Sequence, residues 1–140
     1  MRPYRVPDKF KPEVDRQIAE VLEMGLIRPS DSPIVCVAKR GDGVRLAVDY
    51  RYLNKYTVGD AYLMTTIDEV VRSVGRGSFI STFDTKSGYW QLLVAPEDRW
   101  LTAFVTDDGL YEWVRMPFGL KNAGAAFMRA IKAVLKPIRT

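Results

Sequence analysis

The stretch 77-GSFISTFDTKSGYWQ-91 decides how the chain is read. The apolar run Phe79 to Phe83 is rich in aromatic and β-branched residues, and Gly77 precedes it. That pattern predicts a buried strand over 78–84. The run ends on an acid, Asp84. Gly88 and two adjacent rings, Tyr89 and Trp90, follow. A carboxylate is costly to bury unpaired, so Asp84 is solvated, hydrogen-bonded or metal-bound. Position alone fits an acid capping a turn. Hard cations want several oxygen ligands, and one Asp supplies only part of such a set. Tyr89 on its own reads first as a core ring, with the floor of a sugar pocket as the alternative.

Working outward, Val14, Ile18, Val21 and Leu22 fall at helical spacing over Lys11 to Met24, and Gly25 supplies a stop. Residues 1–10, with prolines at 3 and 7, read as an extended arm, and "IRPSDSP" as a loop. "IVCVAK" and "VRLAVDY" flank "RGDG" as a hairpin over 34–49. "YRYLNKYTVGDAYLM" lacks periodicity and reads as irregular. In "TTIDEVVRSVG", Thr66 and Glu69 stand at capping-box spacing before an apolar face of Ile67, Val70, Val71 and Val74. "WQLLVA", "WLTAFVT" and "LYEWVR" read as further strands, with "DDG" as a turn. Asn122 can cap a last helix whose face carries Phe127, Ile131, Val134 and Leu135. The sum is an α+β domain, an antiparallel sheet with helices packed on one face.

Composition narrows the chemistry. The 140 residues include no His and a single Cys, Cys36. The commonest general base and the commonest zinc ligand are therefore absent. An internal disulfide is excluded, and Cys36 reads as a buried small hydrophobe. What chemistry there is must rest on carboxylates, Lys, Arg, hydroxyls and rings. The net charge of +4 and pI near 9.3 are compatible with a nucleic-acid partner. No apolar run approaches a membrane span, and the N-terminus has no secretory h-region, so an intracellular protein without membrane contact is expected.

Two further segments carry candidate chemistry. "KRGDGVR" places Lys39, Arg40 and Arg45 near one hairpin tip, either as a solvated turn or as a clamp for phosphates. "MPFGLKN" sets a ring, Phe118, beside Gly119 between strand and helix, where a flat ligand can approach closely.

Taken together, several segments resemble the reverse transcriptase (RNA-directed DNA polymerase) domain of gypsy-type LTR retrotransposons. They are "YRVP" at 4–7, "GLIRPS" at 25–30, "PIVCVAKRGDGVRLAVDYRYLN" at 33–54, "FDTKSGYWQ" at 83–91, "TAF" at 102–104 and "YEWVRMPFGLKNA" at 111–123. Their order and spacing carry the resemblance. It implies part of a right-hand polymerase fold: an N-terminal arm over 1–10, a fingers-like region over 11–77 and the first part of the palm over 78–140. It implies that Asp84 is a catalytic aspartate ligating Mg²⁺ (or Mn²⁺), with Thr85 offering its main-chain carbonyl to a metal. Tyr89 would lie under the deoxyribose and exclude a 2′-hydroxyl. Lys39 and Arg45 would hold the triphosphate, and Phe118 and Gly119 would pack on the incoming nucleotide and template. The implied reaction is in-line attack of a primer 3′-hydroxyl with two metals holding the attacking and leaving oxygens. The implied partners are an RNA/DNA template-primer, a dNTP and the remainder of a polyprotein.

The chain departs from the family in one decisive respect. The Tyr-x-Asp-Asp sequence that carries the other two catalytic aspartates occurs nowhere in the 140 residues. The paired acids of "TDDG" at 106–109 read as a turn. Smaller departures are Leu63, Gly124 and Ala126, which stand at positions where the family commonly has other residues. The expectation is a reverse transcriptase portion that is inactive as an isolated chain. The alternative is a non-catalytic module that binds nucleic acid or another polymerase subunit.

Overall fold

A computed structural model describes residues 8–32, 36–40, 46–63 and 65–136, with the side chains of 36–40 excepted. The first helix, α1 (Lys11–Glu23), follows a 3-10 turn at Asp8–Phe10, so the expected arm is already helical at its inner end. The predicted stop is present. Gly25 has φ +67, its amide bonds to Leu22 O at 3.0 Å, and the Leu26 amide bonds to Val21 O at 2.9 Å. These two bonds satisfy carbonyls that the last turn would otherwise leave open.

The sheet has five strands in the order β1-β5-β4-β2-β3. They are β1 (Ile27–Pro29), β2 (Cys36–Arg40), β3 (Leu46–Asp49), β4 (Phe104–Val105) and β5 (Leu110–Trp113). The hairpin expected over 34–49 is present, with Val37 opposite Asp49 and Lys39 opposite Ala47. Its turn, including Arg45, lies outside the described residues. The sheet is antiparallel except at its middle, where β2 and β4 run parallel. Strands from both sides of position 77 pair with each other, β1 with β5 and β2 with β4.

The core explains the arrangement. Val14, Ile18 and Val21 of α1 pack with Leu26, Ile27, Tyr50, Phe104 and Trp113. Side chains of this size, fully buried, stabilise by about 1.5–3 kcal/mol each. The buried Tyr50 hydroxyl donates to Thr102 O at 2.9 Å, so its polar end is satisfied.

Four expectations need correction. "IRPSDSP" is not all loop, because Ile27–Pro29 forms an edge strand on β5, where proline is tolerated. "YRYLNKY" is not irregular but holds a short helix, α2 (Arg51–Tyr56). "WQLLVA" and "WLTAFVT" are not strands throughout, because their first residues belong to the 3-10 turns Gly88–Gln91 and Pro96–Thr102. Only a Leu93–Arg115 bridge and β4 remain extended and paired there. Most consequentially, 78–84 forms no strand and is unpaired, and Phe79 and Phe83 are 98% and 92% exposed. A strand needs a neighbour for its backbone groups, and among the described residues it has none.

Helix α3 (Ile67–Val74) has the expected capping box, with the Glu69 amide donating to Thr66 Oγ1 and the Thr66 amide donating to Glu69 Oε2. Its apolar face, however, is open to solvent: Ile67, Val70, Val71 and Val74 are all exposed. Helix α4 (Ala123–Leu135) starts at Asn122 as expected, but the Asn122 side chain makes no cap bond. It reaches instead to the segment after α2.

Candidate active site

The turn after the unpaired segment shapes the site. Ser87 adopts φ +49, and Gly88 begins the 3-10 turn that carries Tyr89 and Trp90. A Cβ on Gly88 would lie 2.7 Å from Phe127 Cζ, so only glycine lets α4 approach this closely. Tyr89 is then held between two rings. Phe127 meets it edge-on at 5.6 Å between centroids, and Phe118 lies tilted at 5.3 Å.

Phe83, Asp84, Thr85, Gly88, Tyr89, Phe118 and Phe127 line one concavity of about 310 Å³. The fold therefore brings four of the expected site residues to a single place: Asp84, Thr85, Tyr89 and Phe118. Gly119 is the next residue in the chain, at φ +92. Lys39 stands in β2, and its side chain is outside the described residues, as is Arg45. Sequence reading missed the role of Phe127 here, having assigned it only to a helix face. The signal was Gly88, a residue with no side chain where two rings converge.

Asp84 and Thr85 are exposed at the rim. Together they offer carboxylate and carbonyl oxygens, which suit a hard cation. Among the described residues, no three His, Cys, Asp or Glu stand close enough to hold a metal ion. The donor set fits one shared ligand position and not a whole two-metal centre, so no step through a metal follows from these residues alone.

Comparison with known proteins shows the family. The family described as reverse transcriptase (RNA-dependent DNA polymerase) matches residues 37–140, and the chain belongs to that family. The chain is 40% identical over 145 residues to the enzymatic polyprotein of Cauliflower mosaic virus (strain Strasbourg), covering 95% of the chain and 21% of that polyprotein. It is 39% identical over 133 residues to the retrovirus-related Pol polyprotein from transposon gypsy of Drosophila melanogaster, covering 88% of the chain and 13% of that protein. The fold superposes on the prototype foamy virus protease-reverse transcriptase (CSH mutant) with a TM-score of 0.84 and 27% identity, over 100% of this chain and 19% of that one. The chain thus spans about a fifth or less of these relatives. No helix among the described residues is long and apolar enough to cross a membrane.

Proposed function

We propose that these residues form the fingers-like part and the first part of the palm of a reverse transcriptase released from a polyprotein. In the complete enzyme they take part, inside the cell, in template-directed DNA synthesis with Mg²⁺ or Mn²⁺. The observation that carries this reading is the single concavity where Asp84 and Thr85 stand beside Tyr89 and Phe118. A carboxylate and a carbonyl at one edge suit a metal-bound triphosphate, and the rings suit a sugar and base. Asp84 is one metal ligand, and Thr85 adds its carbonyl. Tyr89, pressed between Phe127 and Phe118, presents a rigid floor to the deoxyribose. In this reading Lys39 and Arg45 hold the triphosphate, and Phe118 and Gly119 border the incoming nucleotide and template. Template contacts are mostly to the backbone and therefore independent of sequence. Related foamy virus enzymes have been solved with an RNA/DNA hybrid and with double-stranded DNA, which supports a template-primer as partner. No feature of fold or site favours a non-catalytic binding module over this reading.

Primer extension tests it in two arms. The 140-residue chain, given template-primer, dNTPs and Mg²⁺ or Mn²⁺, is expected to incorporate nothing, because one carboxylate cannot orient two cations. Joined to a polypeptide that supplies the remaining carboxylates, it is expected to extend primers. Asp84→Asn should then lower the rate by roughly a thousandfold, the equivalent of several kcal/mol of transition-state stabilisation. Robust extension by the chain alone, or a complete enzyme indifferent to Asp84→Asn, sinks the assignment.

A further inference from the structure

Two asparagines reach across the same gap in opposite directions. Asn54 of α2 donates from Nδ2 to Gly119 O at 2.7 Å and accepts at Oδ1 from the Lys121 amide at 2.8 Å. Asn122, at the start of α4, donates from Nδ2 to Val58 O at 2.8 Å and accepts from the Asp60 amide at 2.9 Å. Both amide orientations are fixed by chemistry, since each nitrogen faces a carbonyl and each oxygen faces an N–H. Each side chain spans the carbonyl of one residue and the amide of the residue two further on. A strand residue offers a parallel neighbour the same donor and acceptor pair, so each amide stands in for a strand bridge between segments that are not strands.

Two more contacts cross the gap. Lys121 Nζ donates to Thr57 O at 2.9 Å, and Arg129 of α4 donates to Asp60 Oδ2 at 2.8 Å. The clamped loop carries Phe118, which is 60% exposed and so is not held by burial. Its ring nevertheless meets Tyr89 and Trp90. The backbone immediately after it is pinned at residues 119 and 121 by one side chain. A single hydrogen bond fixes a point, whereas a bidentate amide fixes the direction of the chain as well.

We infer that Asn54 and Asn122 form a reciprocal clamp, and that Asn54 is a positioning residue that holds Phe118 across the pocket from Asp84. The role in nucleotide binding rests on the function proposed above.

The test is residue-resolved hydrogen exchange by mass spectrometry on the 140-residue chain, with dTTP and Mg²⁺ as the probe. Asn54→Ala should speed exchange at Lys121 by roughly five- to tenfold, the loss of one to two hydrogen bonds, and leave α1 unchanged. The dTTP concentration that half-protects the Trp90 amide should rise by a similar factor. Asn54→Asp keeps the acceptor for Lys121 but turns an oxygen toward Gly119 O. It should therefore leave Lys121 slower than in Asn54→Ala while still weakening dTTP. Adding Asn122→Ala to Asn54→Ala should do less than the product of the two single effects. Unchanged exchange at 119–121 in Asn54→Ala overturns the clamp. Faster exchange with an unchanged dTTP response reduces it to a structural bond and overturns the positioning role. If dTTP protects nothing in the unmutated chain, the nucleotide reading fails and the positioning role with it, while the exchange rates still decide whether the clamp exists.

Discussion

Gly88 and Phe127 are in contact across the site, with room for a hydrogen on the glycine and for nothing larger. Gly88→Ala should force the Phe127 ring or the 3-10 turn to move, at a cost of about 1–3 kcal/mol for overpacking. Phe127→Leu removes the obstructing ring atoms. The double variant should therefore be more stable than the two single effects added together, a sign of direct coupling. Thermal melts of the four proteins measure this, and strict additivity would falsify the contact.

Glu112 is buried yet charged. Its carboxylate accepts from Arg28 at 2.6 Å and from the Ser30 hydroxyl at 2.7 Å. Arg28 is about half exposed, so the pair is not fully removed from water. Arg28→Ala should cost about 2 kcal/mol, less than the 3–5 kcal/mol typical when a fully buried pair is broken. Glu112→Gln, which keeps the shape and loses the charge, should cost less than Arg28→Ala. Denaturant unfolding ranks the two, and the reverse order would count against a desolvated carboxylate.

At the start of α1, hydrogen bonds from Arg16 and then Gln17 hold the Glu13 carboxyl at about 2, below its ordinary 4.5. A depressed carboxyl contributes stability above its unfolded value and loses that contribution as pH falls through the folded one. The contribution of Glu13 is therefore expected to be full above roughly pH 5 and to vanish between there and about pH 2. Arg16→Ala should return the midpoint toward the ordinary range. Titration of the Glu13 side chain by NMR checks this, and an unchanged midpoint in the variant would contradict the stated cause.

Among the described residues, the apolar face of α3 and Phe79, Ile80 and Phe83 are left open to solvent. Exposed rings on a segment with unpaired backbone invite association. The 140-residue chain should bind an apolar dye and self-associate at micromolar concentration. Val71→Lys with Phe79→Lys should reduce both without lowering the melting temperature, because neither residue is buried. A lower melting temperature would show that these side chains pack in solution.

Local signals in the sequence decide structure where the energetics are local. The spacing in α1, Gly25, the capping box at Thr66 and the hairpin before Asp49 each act within a few residues, and each appears as expected. The sequence is silent where a distant partner decides the outcome. Residues 78–84 have the composition of a buried strand, but composition cannot supply the neighbour. Ile27–Pro29 is a strand because β5 lies beside it, and nothing near Pro29 announces that. Asn122 has the residue type of a cap, yet Val58 and Asp60 outcompete the helix amides for its side chain. The site divides in the same way. Asp84 and Tyr89 stand in one short stretch and could be found from it, whereas Phe127 and Asn54 become visible only once the chain has folded back.

The order of the sheet also has a consequence for how the chain is made. Arg28 of β1 faces Glu112, 84 residues later, and β2 has its parallel neighbour only at Phe104–Val105. At 5–20 residues per second, a ribosome takes roughly 4–17 s to make the stretch that separates β1 from its partner. Helix α1 and the β2–β3 hairpin can form early, but the backbone of β1 must wait for its strand partner until β5 arrives. Among the described strands, the first made is paired only by the last.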